Sequence, residues 1–151
     1  MEFFPKLADA LNVDSEVLLR GELETNSASS GNMKKLNFFV CKKCGNLLFS
    51  TDSADISCCG EKLLPLKPQK AEENEKLTLA DVGGELYVTS EHEMTREHHI
   101  SFIAFLDSDI LIVKKLYPEW NAEAHFPLVR RGMFLWYCTC HGLMYQYVHS
   151  I

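Results

Sequence analysis

Hydrophobic and polar positions in the second half of the chain form short apolar runs separated by turns. Four of these runs are rich in Val, Ile, Phe, Tyr and Trp, and they cover residues 85–89, 100–106, 110–116 and 133–138. These residue types favour strands, and no helical periodicity of useful length competes with them. The pattern predicts a small β-sandwich in this part of a mostly β protein.

The start of the chain has a different pattern, with apolar residues at helical spacing. The apolar positions of a first short helix are Phe3, Phe4, Leu7, Ala8 and Leu11. A second short helix would begin at Asp14, a suitable N-cap, and end at Gly21. The sequence therefore predicts a short helical hairpin before the β-rich part.

Two changes in composition divide the chain into segments. Residues 26–32 are rich in Ser and Asn, and residues 65–74 replace apolar periodicity with prolines and charges. The predicted segments are a helical hairpin (1–26), a linker (27–35), a small module (36–66), a second linker (67–76) and the β-sandwich (77–151). The small module is too short to bury a sufficient core, so it needs a metal, disulfides or a partner.

Composition and charge narrow the function classes. The 151 residues are 46% hydrophobic and 24% charged, which is typical of a globular protein. No apolar run approaches the roughly 20 residues that span a bilayer, and no export signal begins the chain, so we expect a cytoplasmic protein without a membrane segment. The net charge of −6 makes nucleic acid a poor partner.

Four of the six cysteines are clustered in the small module. Cys41 and Cys44 would share a tight turn, and Cys58 and Cys59 are adjacent in sequence. Adjacent residues on a regular strand point to opposite faces, so binding of one ion by both requires an irregular backbone. Four thiolates suit zinc or a single iron. The alternatives are two disulfides, a vicinal disulfide at Cys58 and Cys59, or reduced structural cysteines.

The β-rich part contains a second candidate site. His92 and His98 lie six residues apart, and Cys138 and His141 follow near the end of the chain. Three imidazole nitrogens and one thiolate can form an open mononuclear site for redox iron, and zinc fits the same ligands.

Both clusters resemble one family. Cys-Lys-Lys-Cys-Gly-Asn ahead of Cys-Cys-Gly-Glu-Lys resembles the desulforedoxin-type iron module of the desulfoferrodoxins. The second cluster resembles the catalytic domain of superoxide reductases, which carries His-Pro-Met-x-x-x-His and a late Cys-x-x-His-Gly motif on an immunoglobulin-like β-sandwich. The resemblance covers about residues 36–151, and the modules occur in the family's order.

This resemblance implies two iron centres and an oxidoreductase activity. One iron would have the ligands Cys41, Cys44, Cys58 and Cys59, as an accessory Fe(Cys)4 centre. The catalytic iron, of Fe(His)3–4(Cys) type, would have equatorial His92, His98 and His141, an axial Cys138 and an open opposite face. The implied activity is reduction of superoxide to hydrogen peroxide with an external electron donor such as a rubredoxin-like protein. A homodimer is also compatible with this resemblance.

The sequence departs from the family at one element. Family members have Glu-Lys-His at the start of the catalytic domain, where the His is a fourth equatorial ligand and the Lys lies at the open face. Counting back from Gly83, the matching residues are Glu72, Glu73 and Asn74. This departure supports an alternative: a non-catalytic metal-binding or redox-sensing module with a degenerate second site.

Several chemically active residues match no family ligand. They are Cys140, His99, His125 and His149. Cys140 is best interpreted as a structural or redox-accessory cysteine, and the histidines as surface or packing residues.

The helical start has a local resemblance of its own, to the last two helices of a lambda-repressor-type helix-turn-helix domain. The helix pair that would enter the major groove is missing. Residues 1–24 also contain six acidic and two basic residues, which disfavours phosphate binding. We expect a short amphipathic hairpin that packs on its neighbour or on a second subunit, without DNA binding; a longer natural protein would reopen DNA-linked redox sensing.

Overall fold

The computed structural model describes Lys6 and residues 33–149. Residues 33–149 contain no α-helix, only a short 3-10 turn at Met33–Lys35. Twelve strands follow in chain order: β1 (Asn37–Val40), β2 (Leu47–Ser50), β3 (Ile56–Cys58), β4 (Glu61–Leu63), β5 (Gln69–Lys70), β6 (Thr78–Val82), β7 (Glu85–Thr89), β8 (Ile100–Leu106), β9 (Leu111–Lys115), β10 (Glu123–Pro127), β11 (Arg131–Cys138) and β12 (Gly142–His149). The mostly β class is confirmed. The predicted helical hairpin lies outside the described residues, except for Lys6.

The four strands predicted from apolar runs are all present. Strands β7 and β8 have the predicted bounds, β9 is one residue shorter at each end, and β11 begins two residues earlier. Strands β6, β10 and β12 were not predicted. The side chains of β10 alternate regularly between exposed and buried, but five residues with a charge and a histidine give a weak apolar signal.

Two sheets build the larger part of the molecule. One has the order β5-β12-β11-β8-β9 and is antiparallel except for the parallel β12 and β5 pair; the other has the order β10-β7-β6 and is fully antiparallel. Both sheets contribute to one apolar core, where Phe126 of β10 meets Phe134 of β11 edge to face at 5.2 Å. This core supports the loops at the ends of β7, β8 and β11.

The five-stranded sheet is buried on its second face as well. Phe38 of β1 stacks on Phe102 of β8 at 5.6 Å, and a second apolar cluster forms around this pair. The backbone carbonyl of Phe38 also accepts a hydrogen bond from the amide of Leu66. Burial from both sides explains why β8 is a continuous apolar run instead of an alternating one.

The four-cysteine segment is made from two hairpins. Strands β1 and β2 pair in one, and β3 and β4 pair in the other, with four and three residues per strand. Hairpins of this size are marginal on their own in water. Within the described part of the chain, no helix is long and apolar enough to cross a membrane.

Candidate metal centres

The first centre is built on two turns, one that connects β1 to β2 and one that connects β3 to β4. Cys41 follows β1, and the turn after it is closed by a hydrogen bond from the Gly45 amide to the Cys41 carbonyl at 2.8 Å. Gly45 has a φ of 72°, the left-handed conformation expected of the glycine after this motif. Cys44 therefore returns toward Cys41 on one tight turn.

The adjacent pair Cys58 and Cys59 has the irregular backbone that the sequence required. Cys58 ends β3, whereas Cys59 has a φ of 52° and Gly60 a φ of 76° in the turn to β4. A positive φ is uncommon for a residue with a side chain. It redirects the Cys59 side chain, so both sulfurs face the same point.

The sulfur geometry fits a tetrahedral ion. The four Sγ atoms all lie within 4.8 Å of one another. The Sγ of Cys58 lies 3.6 Å from the Sγ of Cys44 and 4.0 Å from the Sγ of Cys59. Four thiolates bound at about 2.3 Å from one ion are separated by about 3.8 Å. All six cysteines of the chain are described, and all are free thiols without a disulfide.

Proton affinity differs widely among these thiols. Hydrogen bonding to the Cys44 backbone lowers the pKa of the Cys41 thiol to about 7. Hydrogen bonding with the Cys44 sulfur raises the pKa of the Cys59 thiol to about 12. The Cys41 thiol therefore loses its proton more readily than the Cys59 thiol, and occupation of all four sulfurs must release protons.

The second centre is built at one end of the two-sheet core. His92 lies in the loop after β7, His98 shortly before β8, Cys138 at the end of β11 and His141 in the turn before β12. Their ligand atoms all lie within 4.8 Å of one another. Residues almost fifty positions apart in sequence meet here because β7 and β11 end, and β8 and β12 begin, at the same end of the core.

The ring nitrogens of this centre are oriented toward one point. His92 Nε2 lies 3.4 Å from His141 Nδ1. His98 Nε2 is buried and has no hydrogen-bond partner among the described residues. A buried nitrogen lone pair without a donor is costly, and a metal ion is the partner that such a convergent donor set accepts. The residues present therefore fit a metal.

The thiol of this centre belongs to Cys138, a buried residue at the end of β11. Cys138 is 1% exposed, and its Sγ accepts a hydrogen bond from the Cys140 amide at 3.4 Å. Burial raises the pKa of the Cys138 thiol, and burial lowers the pKa of His92. The neutral imidazole is the form that binds a metal, and a bound cation would compensate the buried thiolate.

A cavity of about 760 Å³ opens onto this centre. Its lining combines His92, Cys138 and His141 with the segment before β6, including Glu73 and Asn74. The two residues that depart from the family pattern therefore border the candidate site. No imidazole from that segment reaches it, because Asn74 occupies the matching position.

Lys76 is a cavity residue that the sequence interpretation missed. It lines the cavity together with Glu73, and the two side chains form an ion pair. A turn at residues 72–75 carries the chain back toward the site, and the buried Gln146 side chain fixes it through two hydrogen bonds to the Leu77 backbone. The signal in the sequence was a lysine two residues beyond Asn74, in a stretch assigned to a linker.

Four residues with candidate chemistry stay outside both groups, as expected. The Cys140 thiol lies 3.6 Å from the Glu97 carbonyl oxygen, and His125 packs on Tyr87 with ring centroids 4.8 Å apart. His99 and His149 also contribute no ligand atom to either group.

Comparison with known proteins places this arrangement in one class. No protein-family model matches the chain. It is 30% identical over 116 residues to a desulfoferrodoxin of Clostridium acetobutylicum, which covers 72% of this chain and 93% of that protein. A desulfoferrodoxin homolog of Methanothermobacter thermautotrophicus is 28% identical over 117 residues, covering 71% of this chain and 94% of the relative.

A solved structure supports the fold. The superoxide reductase of Treponema pallidum superposes with a TM-score of 0.62 at 21% identity, covering 74% of this chain and 97% of that one. The β fold with a four-cysteine group and a histidine–cysteine group defines a protein with two candidate metal centres. The chain belongs to the desulfoferrodoxin family.

Proposed function

We propose that the chain is a non-haem iron superoxide reductase, an oxidoreductase that converts superoxide to hydrogen peroxide. The observation that carries this proposal is the second centre: three imidazole nitrogens and one buried thiol converge within 4.8 Å beside an open cavity. Relatives named desulfoferrodoxin and a structural neighbour named superoxide reductase support it.

Each ligand set has a separate role in this proposal. The catalytic centre would be held by His92, His98, His141 and Cys138. The accessory Fe(Cys)4 centre uses Cys41, Cys44, Cys58 and Cys59. The chemistry that iron held by these residues would supply is the transfer of one electron to superoxide. With that electron and two protons, one superoxide becomes one hydrogen peroxide.

The charged residues of the cavity lining act on an anionic substrate in opposite directions. The Lys76 ammonium lines the cavity and attracts a negative substrate, whereas three carboxylates on the same lining, Glu73, Glu75 and Glu91, repel it. The Cys140 amide, through its hydrogen bond to Cys138 Sγ, stabilises negative charge on that sulfur. Attraction is weaker than it would be with a lysine alone, because Glu73 neutralises part of the Lys76 charge.

A second candidate function is a metal-binding or redox-sensing module without catalysis. The specific observation in its favour is Asn74, which lines the cavity where a fourth nitrogen ligand is expected. Three nitrogens and one thiolate also suit zinc, which carries no redox chemistry.

Further features complete the proposal. We infer an immunoglobulin-like β-sandwich for residues 77–151, a desulforedoxin-like module for 36–66 and linkers at 27–35 and 67–76. The shared core of the three-stranded and five-stranded sheets supports the sandwich. We also infer a cytoplasmic location and an external rubredoxin-like electron donor, with a homodimer left open. For the helical start, which resembles the end of a helix-turn-helix domain, we infer a short amphipathic hairpin that packs on a neighbouring segment or on a second subunit.

The experiment that separates the two functions is metal analysis followed by a superoxide challenge. Protein purified without oxygen should contain two irons per chain. A controlled flux of superoxide should then produce a thiolate-to-iron charge-transfer band from the second centre and form hydrogen peroxide. A second site that holds zinc, or iron that superoxide leaves unchanged, would contradict catalysis and support the binding module.

A further inference from the structure

We propose that Glu93 is a positioning residue that selects the ring nitrogen through which His92 and His98 face the metal. The inference rests on the proposed metal site at the second centre. It assigns a role to a residue that lies between the two ligands in sequence and is itself outside the ligand set.

The carboxylate of Glu93 controls His98. Glu93 Oε2 lies 2.9 Å from His98 Nδ1. A carboxylate accepts hydrogen bonds, so this contact places the ring proton on Nδ1 and leaves the lone pair on Nε2. His98 Nε2 is the buried nitrogen without a partner, and it points into the ligand group. The carboxylate and the candidate metal therefore lie on opposite sides of one ring.

The backbone of the same residue controls His92. The Glu93 carbonyl oxygen lies 2.6 Å from His92 Nδ1, so that nitrogen also carries the proton. His92 Nε2 is then free to face His141, at the 3.4 Å distance given above. One residue thus orients two ligands, through its side chain for His98 and its carbonyl for His92.

The two contacts differ in what a substitution can remove. Any residue at position 93 keeps a carbonyl, but only an acidic side chain supplies an anionic acceptor. The family motif has proline here, which provides the carbonyl alone. A charged acceptor raises the basicity of a metal-bound imidazole and fixes its tautomer, and loss of such partners typically costs about 10–100-fold in metal affinity.

The test uses the full chain with one equivalent of zinc in the four-cysteine centre, so that the second centre is free. Long-range ¹H–¹⁵N NMR reads the tautomers of His92 and His98 when both rings are neutral. Co²⁺ is then titrated into the second centre, and its affinity is measured by chelator competition. The variants are Glu93→Ala and Glu93→Gln, with Glu97→Gln as the control that removes a carboxylate from the same loop.

We expect His98 in the unmodified chain to hold its proton on Nδ1. In Glu93→Ala, His98 should become a mixture of tautomers and Co²⁺ affinity should fall about 10–100-fold, while His92 is unchanged. Glu93→Gln keeps an oxygen acceptor and should retain the tautomer with a smaller loss of affinity. Iron-loaded Glu93→Gln should have a more positive midpoint potential, because a neutral acceptor stabilises the ferric state less.

The possible results separate this inference from the proposed function. Equal Co²⁺ affinity and an unchanged His98 tautomer in Glu93→Ala would overturn the role of Glu93 while leaving the metal site intact. An unmodified chain that binds no Co²⁺ beyond the zinc equivalent would overturn the metal site itself. An equal affinity loss in Glu97→Gln would show a general charge effect and also overturn the positioning role.

Discussion

The two candidate metal centres differ in how much protein structure surrounds them. The four-cysteine centre sits on turns of two small hairpins, and Cys44 and Cys59 are exposed. The histidine–cysteine centre sits at the end of a two-sheet core, and Cys138 is buried there. We therefore expect the first region to depend on its metal for structure, whereas the second holds ligands that the fold has already positioned.

The ligand environments differ in the same direction. At the first centre, the sulfurs contact one another, nearby backbone amides and the Asn46 side-chain amide, and the pKa values of the Cys41 and Cys59 thiols are displaced to about 7 and about 12. At the second centre, the ligands are fixed by partners outside the set, such as Glu93 and the Cys140 amide. The second centre is thus the one organised for tuned chemistry.

Two cysteine substitutions, one in each centre, should distinguish the functions of the two centres with the largest effect. Cys138→Ser should abolish superoxide-driven oxidation and leave the first iron in place, because only the second centre loses its thiolate. The matched variant Cys44→Ser should lose the first iron and retain oxidation of the second. Iron content and absorbance under a superoxide flux check both. Full activity in Cys138→Ser would contradict the assignment of the catalytic site.

Metal removal should affect the two regions unequally. Stripping the four-cysteine centre with a chelator removes a binding energy on the order of 10 kcal/mol for a structural site, so β3 and β4 should lose protection from hydrogen exchange. Strands β8 and β11 lie in the apolar core and should keep theirs. Exchange measured strand by strand tests this, and equal loss throughout would show that the metal stabilises the whole fold.

Strand β1 makes the two regions less independent, because it packs the small hairpins against the five-stranded sheet. Phe38 is 2% exposed and packs on Phe102, so Phe38→Ala should destabilise the protein by about 3–5 kcal/mol. Phe49→Ala on the partner strand β2 is the control, since Phe49 is 54% exposed. Chemical denaturation measures both. An equal, small effect would mean that the hairpin adds little to the core.

The features that could be predicted from the sequence are those that depend on residues close together in the chain. Cys41 and Cys44 with a following Gly45 specify a turn, and the adjacent Cys58 and Cys59 specify an irregular one. The continuous apolar run at residues 100–106 likewise predicted strand β8. These features depend on neighbours within a few residues, and all of them are present.

The features that were missed depend on where distant segments meet. Strand β12 mixes buried and exposed residues and carries the buried Gln146, whose side chain bonds to the backbone of Leu77 far away in sequence. That contact fixes the segment that brings Lys76 to the cavity. The Glu93 carboxylate likewise acquires its role only through the side-chain direction of His98. No pattern of residue types encodes these directions.

The smallest effect concerns the charge at the mouth of the second centre, and it decides whether Lys76 serves a catalytic site or only a surface ion pair. Lys76→Gln should slow the second-order reaction with superoxide by about tenfold, because cationic steering of a small anion is lost. Glu73→Gln should raise the rate, since it frees the Lys76 charge. Both changes should shrink at high ionic strength, where screening removes long-range attraction.

Lys114→Gln in β9 is the matched control, because it removes the same charge outside the cavity lining. Rates from superoxide pulses at low and high salt provide the measurement. If Lys76→Gln and Lys114→Gln slow the reaction equally, net charge alone steers the substrate and Lys76 has no local role. If Lys76→Gln slows the reaction and Lys114→Gln does not, Lys76 attracts superoxide locally. Lys76 then replaces the family lysine, whose matching position in this chain is Glu73.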